Sequence, residues 1–378
     1  MERRDSKCLI RALFAALVLL TSLEKAAAEH AVANHAKHLI VPTLIAYKPE
    51  IQISGRMTIA GSDTMQPILT RLAMEFRRWH PEAKIAVQGS RNHQESTELP
   101  LVESFLDGFA NSRRGDGKTS GHFGSNDVRL LAVSRQLTRE EIKEFVSRFG
   151  YLPTAIPIAQ DAVAVYVHHD NPIAGLTLEQ LDAIFSKSRR RGSLGELLTW
   201  GQAGLENTWH EAPIHLYGRD KRSTGTRPFF KHVALLDGEF KESLREEPGS
   251  ASVVLAVARD PRGIGYSGIG FHSSGVREVP LAEKSGMPFV QPTQESVMKG
   301  SYPLARQLYL YVNKAPQKAL DQKTLEFLKF VNSQAGQTAV TRAGVYPLTA
   351  TQIAKNLEVL TGTSVAVADS SSSGETRN

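Results

Sequence analysis

Apolar positions recur along this chain with two different periods, and the periods alternate. Ile68, Leu69, Leu72, Phe76 and Trp79 fall three and four residues apart, as do Leu101, Val102, Phe105, Leu106 and Phe109, so each set makes one stripe of a helix. Ala162-Val163-Ala164-Val165-Tyr166-Val167 is instead an unbroken apolar run closed by Asp170-Asn171-Pro172, which reads as a buried strand and its turn. Further helical runs are expected over Leu178 to Phe185, Phe229 to Leu236, Thr324 to Val331 and Thr351 to Leu360, and a strand over Tyr302 to Val312. Alternation of this kind implies an α/β fold with mostly parallel sheets. The polar stretch 111–126 interrupts the rhythm and reads as a surface insertion.

Three short segments share one local design: Ser62-Asp63-Thr64-Met65-Gln66-Pro67, Ser96-Thr97-Glu98-Leu99-Pro100 and Ser223-Thr224-Gly225-Thr226-Arg227-Pro228. Each places hydroxyl-bearing residues ahead of a proline that opens an amphipathic run, so each reads as a helix start. Helix starts present free N–H groups and attract anions. Two strand-like runs, Arg129 to Arg135 with Ser134 before the last arginine, and Ile214 to Arg219, each end on a guanidinium. Ligands of open α/β sheets collect beyond the carboxyl ends of the strands, where Arg135 and Arg219 fall. Three donor-rich turns and two fork-shaped cations, brought together, suit a tetrahedral oxyanion. The plain alternatives are that the hydroxyls only cap helices and that the arginines are surface ion-pair partners.

Size and charge narrow the picture. A chain of 378 residues exceeds what one core usually organises, so two compact units are expected. Residues 1–28 combine Arg3, Arg4, Lys7 and Arg11, an apolar run from Leu13 to Leu20 and Ala26-Ala27-Ala28, the pattern of a cleaved signal peptide. Residues 29–54 read as a solvated leader. The single cysteine, Cys8, lies inside the signal segment, so no structural disulfide is expected in the exported chain. The formal charge is +6, or +4 without residues 1–28, which carry five basic and three acidic residues. That mild excess draws in anions without arguing for nucleic acid, and Arg189-Arg190-Arg191 reads as a solvated loop. No ligand spacing among the twelve histidines, His30, His35 and His38 included, suggests a metal, and no cofactor is expected. The last residues, rich in Ser and charge, read as a disordered tail.

Taken in order, the segments resemble the phosphate-binding components of bacterial ABC transporters, members of the two-lobed type II periplasmic binding proteins. The matching pieces are Ala60-Gly61-Ser62-Asp63-Thr64, Ser96-Thr97, Val133-Ser134-Arg135, Gly225-Thr226, Pro248 to Val253, Gly263 to Gly270 and Tyr302-Pro303-Leu304. The resemblance implies two mixed sheets flanked by helices, with an anion cleft between the lobes. It places lobe one at 55–157 and 302–360, lobe two at 158–301 and the tail at 361–378, with crossings near Pro157 to Asp161 and Ser301 to Leu304. It implies that lobe one supplies Ser62, Thr64, Ser96, Thr97, Ser134 and Arg135, and lobe two Arg219 with Ser223, Thr224, Gly225 and Thr226. Asp63 is the candidate acceptor for the proton that phosphate still carries, a group that would reject sulfate, with the alternative that it only favours the helix start electrostatically. Inorganic phosphate, a membrane permease and its ATPase are the implied partners of a periplasmic monomer that is not an enzyme. Rival classes remain a sulfate or other oxyanion binder, a phosphate-ester hydrolase, and a ligand-free signalling protein on the same fold.

Overall fold

The computed structural model describes residues 44–89, Val102, Phe105, Leu106 and 128–362. The expected signal segment, the 111–126 insertion and the tail beyond 362 lie outside the described residues, as do Ser96 and Thr97. The strands in chain order are β1 (Gly55–Gly61), β2 (Ala83–Gly89), β3 (Val128–Val133), β4 (Thr154–His168), β5 (Leu176–Thr177) and β6 (His215–Arg219). They continue as β7 (Arg245–Glu247), β8 (Gly263–Gly268), β9 (Val276–Glu278), β10 (Leu281–Ala282) and β11 (Ala305–Val312).

One long strand joins two lobes. Residues Thr154 to Ala162 of β4 pair antiparallel with β11, and from Val163 onward the same strand pairs antiparallel with β8. On the first side β2, β1 and β3 run parallel and β11 closes antiparallel against β3. On the second side β8, β6 and β7 run parallel, with β9 on β4. Both sheets are therefore mixed, and each has its own core. Ile59, Leu72, Phe76, Ile156, Leu308, Phe327 and Phe330 pack together in lobe one, beside a smaller group around Phe105, Leu131 and Phe145. Val163, Tyr166, Phe185, Trp200, Phe230 and Tyr266 belong to the core of lobe two.

Most predicted periodicities correspond to real elements; the stripe expected over 101–109 lies mostly outside the described residues. The helix Gln66–Trp79 buries Ile68, Leu69, Leu72 and Phe76, while Trp79 at its end is 42% exposed and meets the ring of Tyr47 edge-on. The helices Leu178–Phe185, Thr226–Leu235, Gln322–Val331 and Ala350–Thr361 overlie the four expected runs, and Gln334–Arg342 adds one that was not anticipated. No helix among the described residues is long and apolar enough to cross a membrane.

Two expectations give way. From residue 44 on, the supposed leader is part of lobe one, where Tyr47 and Ile53 are buried. A polar chain holds it there: Ile53 N–H donates to His80 Nδ1 at 3.2 Å, and the Tyr47 hydroxyl lies 2.6 Å from both His80 Nε2 and Glu326 Oε1. With Tyr47 donating to Glu326, His80 is fixed as the neutral Nε2–H tautomer. The second is the basic run, of which Arg191 is structural. Its Nε donates to Ala234 O at 2.7 Å and Nη2 to Val233 O, so a cation caps the carbonyl end of the helix Thr226–Leu235.

Burial lowers the pKa of His80 below its ordinary 6.5, against the opposing pull of Glu326. Protonation would also remove the acceptor that Ile53 N–H uses. A lowered native pKa means that the unfolded chain binds more protons, so this stability is complete above about pH 6.5 and is lost as pH falls through the native value. Between about pH 7.5 and about pH 5.5, the thermal midpoint of the unsubstituted protein should therefore drop further than that of His80→Gln. Parallel melting curves across that range would refute the assignment.

Candidate functional site

β1, β3 and β6 all finish at the junction of the lobes, and the residues that follow them form one cluster. Ser62 continues β1, with its N–H on Ala132 O of β3 at 3.0 Å, which sets Ser134 beside it as the continuation of β3. Across the cleft, Arg219 ends β6 and the turn 220–225 leads into the helix Thr226–Leu235. Ser62, Ser134, Arg219, Ser223, Thr224 and Thr226 are all buried.

Asp63 clasps the two sides. Its Oδ1 accepts from Thr64 N at 2.9 Å, from Thr224 N at 3.1 Å and from Thr224 Oγ1 at 3.2 Å, while Asp63 N–H donates to Thr224 Oγ1 at 3.0 Å. The other oxygen, Oδ2, stands 3.0 Å from Arg219 Nη2 as an ion pair but accepts no hydrogen bond. Arg219 is oriented from behind by Ser250 Oγ and Pro248 O, each at 3.2 Å, and its Nε is buried without a hydrogen-bond partner. Ser62 Oγ is in the same position. Three unsatisfied polar atoms thus lie on neighbouring residues of one buried cluster, where an unmet donor or acceptor is costly.

Gly225 sets the separation of the lobes. A Cβ on this residue would lie 2.3 Å from Thr64 Oγ1 and 2.9 Å from Ser134 Oγ, both on the opposite side. Thr64 Oγ1 and Thr226 Oγ1 are 3.3 Å apart across the same gap.

The helix starts differ according to where they point. Thr138, Thr177, Thr293, Asp321, Ser333 and Thr349 all cap their helices with their own side chains. The two helices that begin at the cleft start at Met65 and Gly225 with no side-chain cap from that position. Ser62 and Thr64 therefore do not act as caps, and only Ser223 behaves partly as one, its Oγ accepting from Arg227 N at 3.3 Å.

Arg135 does not join the cluster through any described contact. Its guanidinium grips Glu141 through two 2.8 Å bonds and donates to Gln136 O, beside the capping box at the start of the helix Arg139–Phe149. Glu141, six positions downstream, holds it as a bidentate carboxylate, a strong partner for a guanidinium. Ser96 and Thr97 lie outside the described residues.

One charged residue of the site escaped sequence reasoning. Arg306, on β11, donates Nη1 to Gly225 O at 3.1 Å and Nη2 to Thr64 Oγ1 at 3.4 Å, and is paired with Asp161. Its only signal in the sequence was a lone charge within the largely apolar run Tyr302 to Val312. Each cation at the cleft faces a carboxylate, Arg219 with Asp63 and Arg306 with Asp161. Elsewhere, His168, His169 and Asp170 could each offer a metal-ligating atom, all within 4.8 Å of one another, at the far end of β4. His168 Nδ1 there already accepts from Asp170 N.

Known proteins share this arrangement of elements. Residues 46–335 match the model of the PBP superfamily domain. The chain is 40% identical over 321 residues to the phosphate-binding protein PstS of Pseudomonas aeruginosa, covering 85% of this chain and 92% of that protein. Its fold is similar to that of a possible phosphate binding protein from Planctomyces limnophilus, with a TM-score of 0.59 at 22% identity over 82% of this chain and 99% of the other. An ABC-type phosphate transport receptor from Vibrio cholerae gives 0.58 at 22% identity, over 77% and 99%. With two mixed sheets sharing one strand, and a polar cluster closed between them, the chain belongs to the PBP superfamily and, within it, to the family of the phosphate-binding protein PstS.

Proposed function

We propose that this chain is an extracytoplasmic receptor that captures inorganic phosphate between its lobes and delivers it to the permease of an ABC transporter. The observation that carries this reading is the Asp63–Arg219 pair. One carboxylate oxygen is saturated by Thr64 and Thr224, the other accepts no hydrogen bond, and the buried Nε of Arg219 and Oγ of Ser62 stand uncommitted nearby. A hydrogen phosphate dianion supplies what these groups lack. Its oxygens accept from Ser62, Arg219 and the uncapped helix starts, and its remaining proton is donated to Asp63 Oδ2. Sulfate has no such proton, so it would set an oxygen against a carboxylate. A dianion loses strong hydration on entering a dry cleft, and only a complete set of donors offsets that loss.

The lobes hold different parts of the donor set, Ser62 and Thr64 on one side, Arg219 and Thr226 on the other. The anion therefore binds the closed arrangement better than an open one, and ligand drives closure. Export by the N-terminal segment puts the receptor in the periplasm, where it works as a monomer presenting its closed form to the permease. This is a transport role rather than an enzymatic one.

Calorimetry of the phosphate-stripped, mature protein tests the reading, with phosphate and then sulfate as titrants. Phosphate should give a saturable heat and sulfate little; no heat with phosphate overturns the proposal. Arg219→Ala should weaken phosphate binding by roughly 3 kcal/mol, about a hundredfold, since a buried charged partner is removed. Asp63→Asn should narrow the preference for phosphate over sulfate by at least about tenfold, and an unchanged preference would remove Asp63 from the role of acceptor. Gly225 has a φ of −122°, which alanine tolerates, so Gly225→Ala should fold normally yet hold the lobes apart. Its phosphate affinity should fall by more than about a hundredfold with little change in thermal midpoint. Retained affinity would show that the lobes need not meet there.

A further inference from the structure

Arg306 and Asp161 stand opposite each other in the antiparallel register of β11 and β4, next to the point where β4 passes from one sheet to the other. Residues directly opposite in such a pair project to the same face. Both side chains are only 2% exposed, and Asp161 Oδ2 takes Arg306 Nε at 2.8 Å and Nη2 at 2.7 Å. A buried ion pair of this kind adds little net stability over well-packed apolar residues, because desolvation cancels most of the attraction. Stability is therefore a poor explanation for its place between the lobes.

The remaining contacts of the guanidinium supply a better one. Nη1 donates to the Gly225 carbonyl of lobe two, Nη2 reaches Thr64 Oγ1 of lobe one, and the Phe229 ring lies 4.9 Å from the guanidinium carbon. A guanidinium has donors only. A threonine oxygen that accepts from it must direct its own proton elsewhere, and the next oxygen along is Thr226 Oγ1 at 3.3 Å. Polarity then runs one way, from Arg306 through Thr64 to Thr226, and leaves the Thr226 proton for an acceptor in the cleft.

We propose that Arg306 is a positioning residue of the anion site. It orients the Thr64 and Thr226 hydroxyls as donors and, through the Gly225 carbonyl, holds the lobe-two turn in place when the lobes meet. Asp161 cancels its charge, so its contribution is direction and closure rather than a further attraction for the anion. The hydroxyl part of this inference rests on the phosphate reading above; the closure part does not.

Arg306→Lys tests both parts in the mature chain, because it keeps a cation for Asp161 but cannot hold Thr64 and Gly225 in one fork. Small-angle scattering of the phosphate-stripped proteins should show a smaller closed fraction in Arg306→Lys than in the unsubstituted chain; equal fractions overturn the closure role. Calorimetry should show phosphate affinity lowered by about tenfold. In a double-mutant cycle, Thr226→Val should cost less in the Arg306→Lys background than alone, and strictly additive losses overturn the orienting role. Asp161→Asn combined with Arg306→Gln removes both charges and guards against an unpaired buried ion. Wild-type affinity in both variants, or failure of both to fold, would make the pair merely structural and overturn the proposal. If the unsubstituted chain takes up no phosphate while the closed fractions still differ, the phosphate reading fails and the closure role stands.

Discussion

Two turns from different lobes rest against each other with no room for a methyl group between them. Gly225 brings the lobe-two turn so close to Thr64 and Ser134 that their hydroxyls occupy the space where a side chain would begin. That approach lets Asp63 reach Thr224 across the cleft and lets Arg219 reach Asp63. Everything chemical about the site follows from this contact, because each lobe alone holds only part of a donor set. The shared strand β4 ties the two sides together, since one continuous backbone passes through both sheets.

The electrostatics of the cleft are those of a balanced site. Among the described residues, Arg219 is matched by Asp63 and Arg306 by Asp161. On the proposed phosphate reading, a ligand with one acceptor too many would be left facing a carboxylate. Arg135 is likewise matched by a carboxylate. Its guanidinium stabilises the start of the helix Arg139–Phe149 through Glu141.

Helix starts in this protein serve two purposes that the amino-acid letters alone do not separate. Thr138 and Thr177 form capping boxes with Glu141 and Gln180, closing their own backbone donors. Ser62 and Thr64 look alike in sequence but precede a helix whose first position, Met65, cannot cap. A Glu or Gln three residues after the hydroxyl completes the box for Thr138 and Thr177, but Thr293 and Ser333 cap with Ser296 and Gly336 in that position. After Thr64 the corresponding position is Pro67.

Local pattern by itself determined the α/β class, several helices, four of the strands, and the strand ends and helix starts on which Ser62, Asp63, Thr64, Arg219 and Thr226 stand, because these depend on neighbours a few residues away. The motif order was enough to indicate the two-lobed family. Pairings between distant segments were not legible. Nothing local holds Arg219 at the cleft, and nothing local joins Arg306 to Asp161, or Tyr47 to His80 and Glu326. Those choices were made by the tertiary structure, since a buried charge or hydroxyl takes the best partner that folding brings within about 3 Å, and sequence separation does not limit that distance.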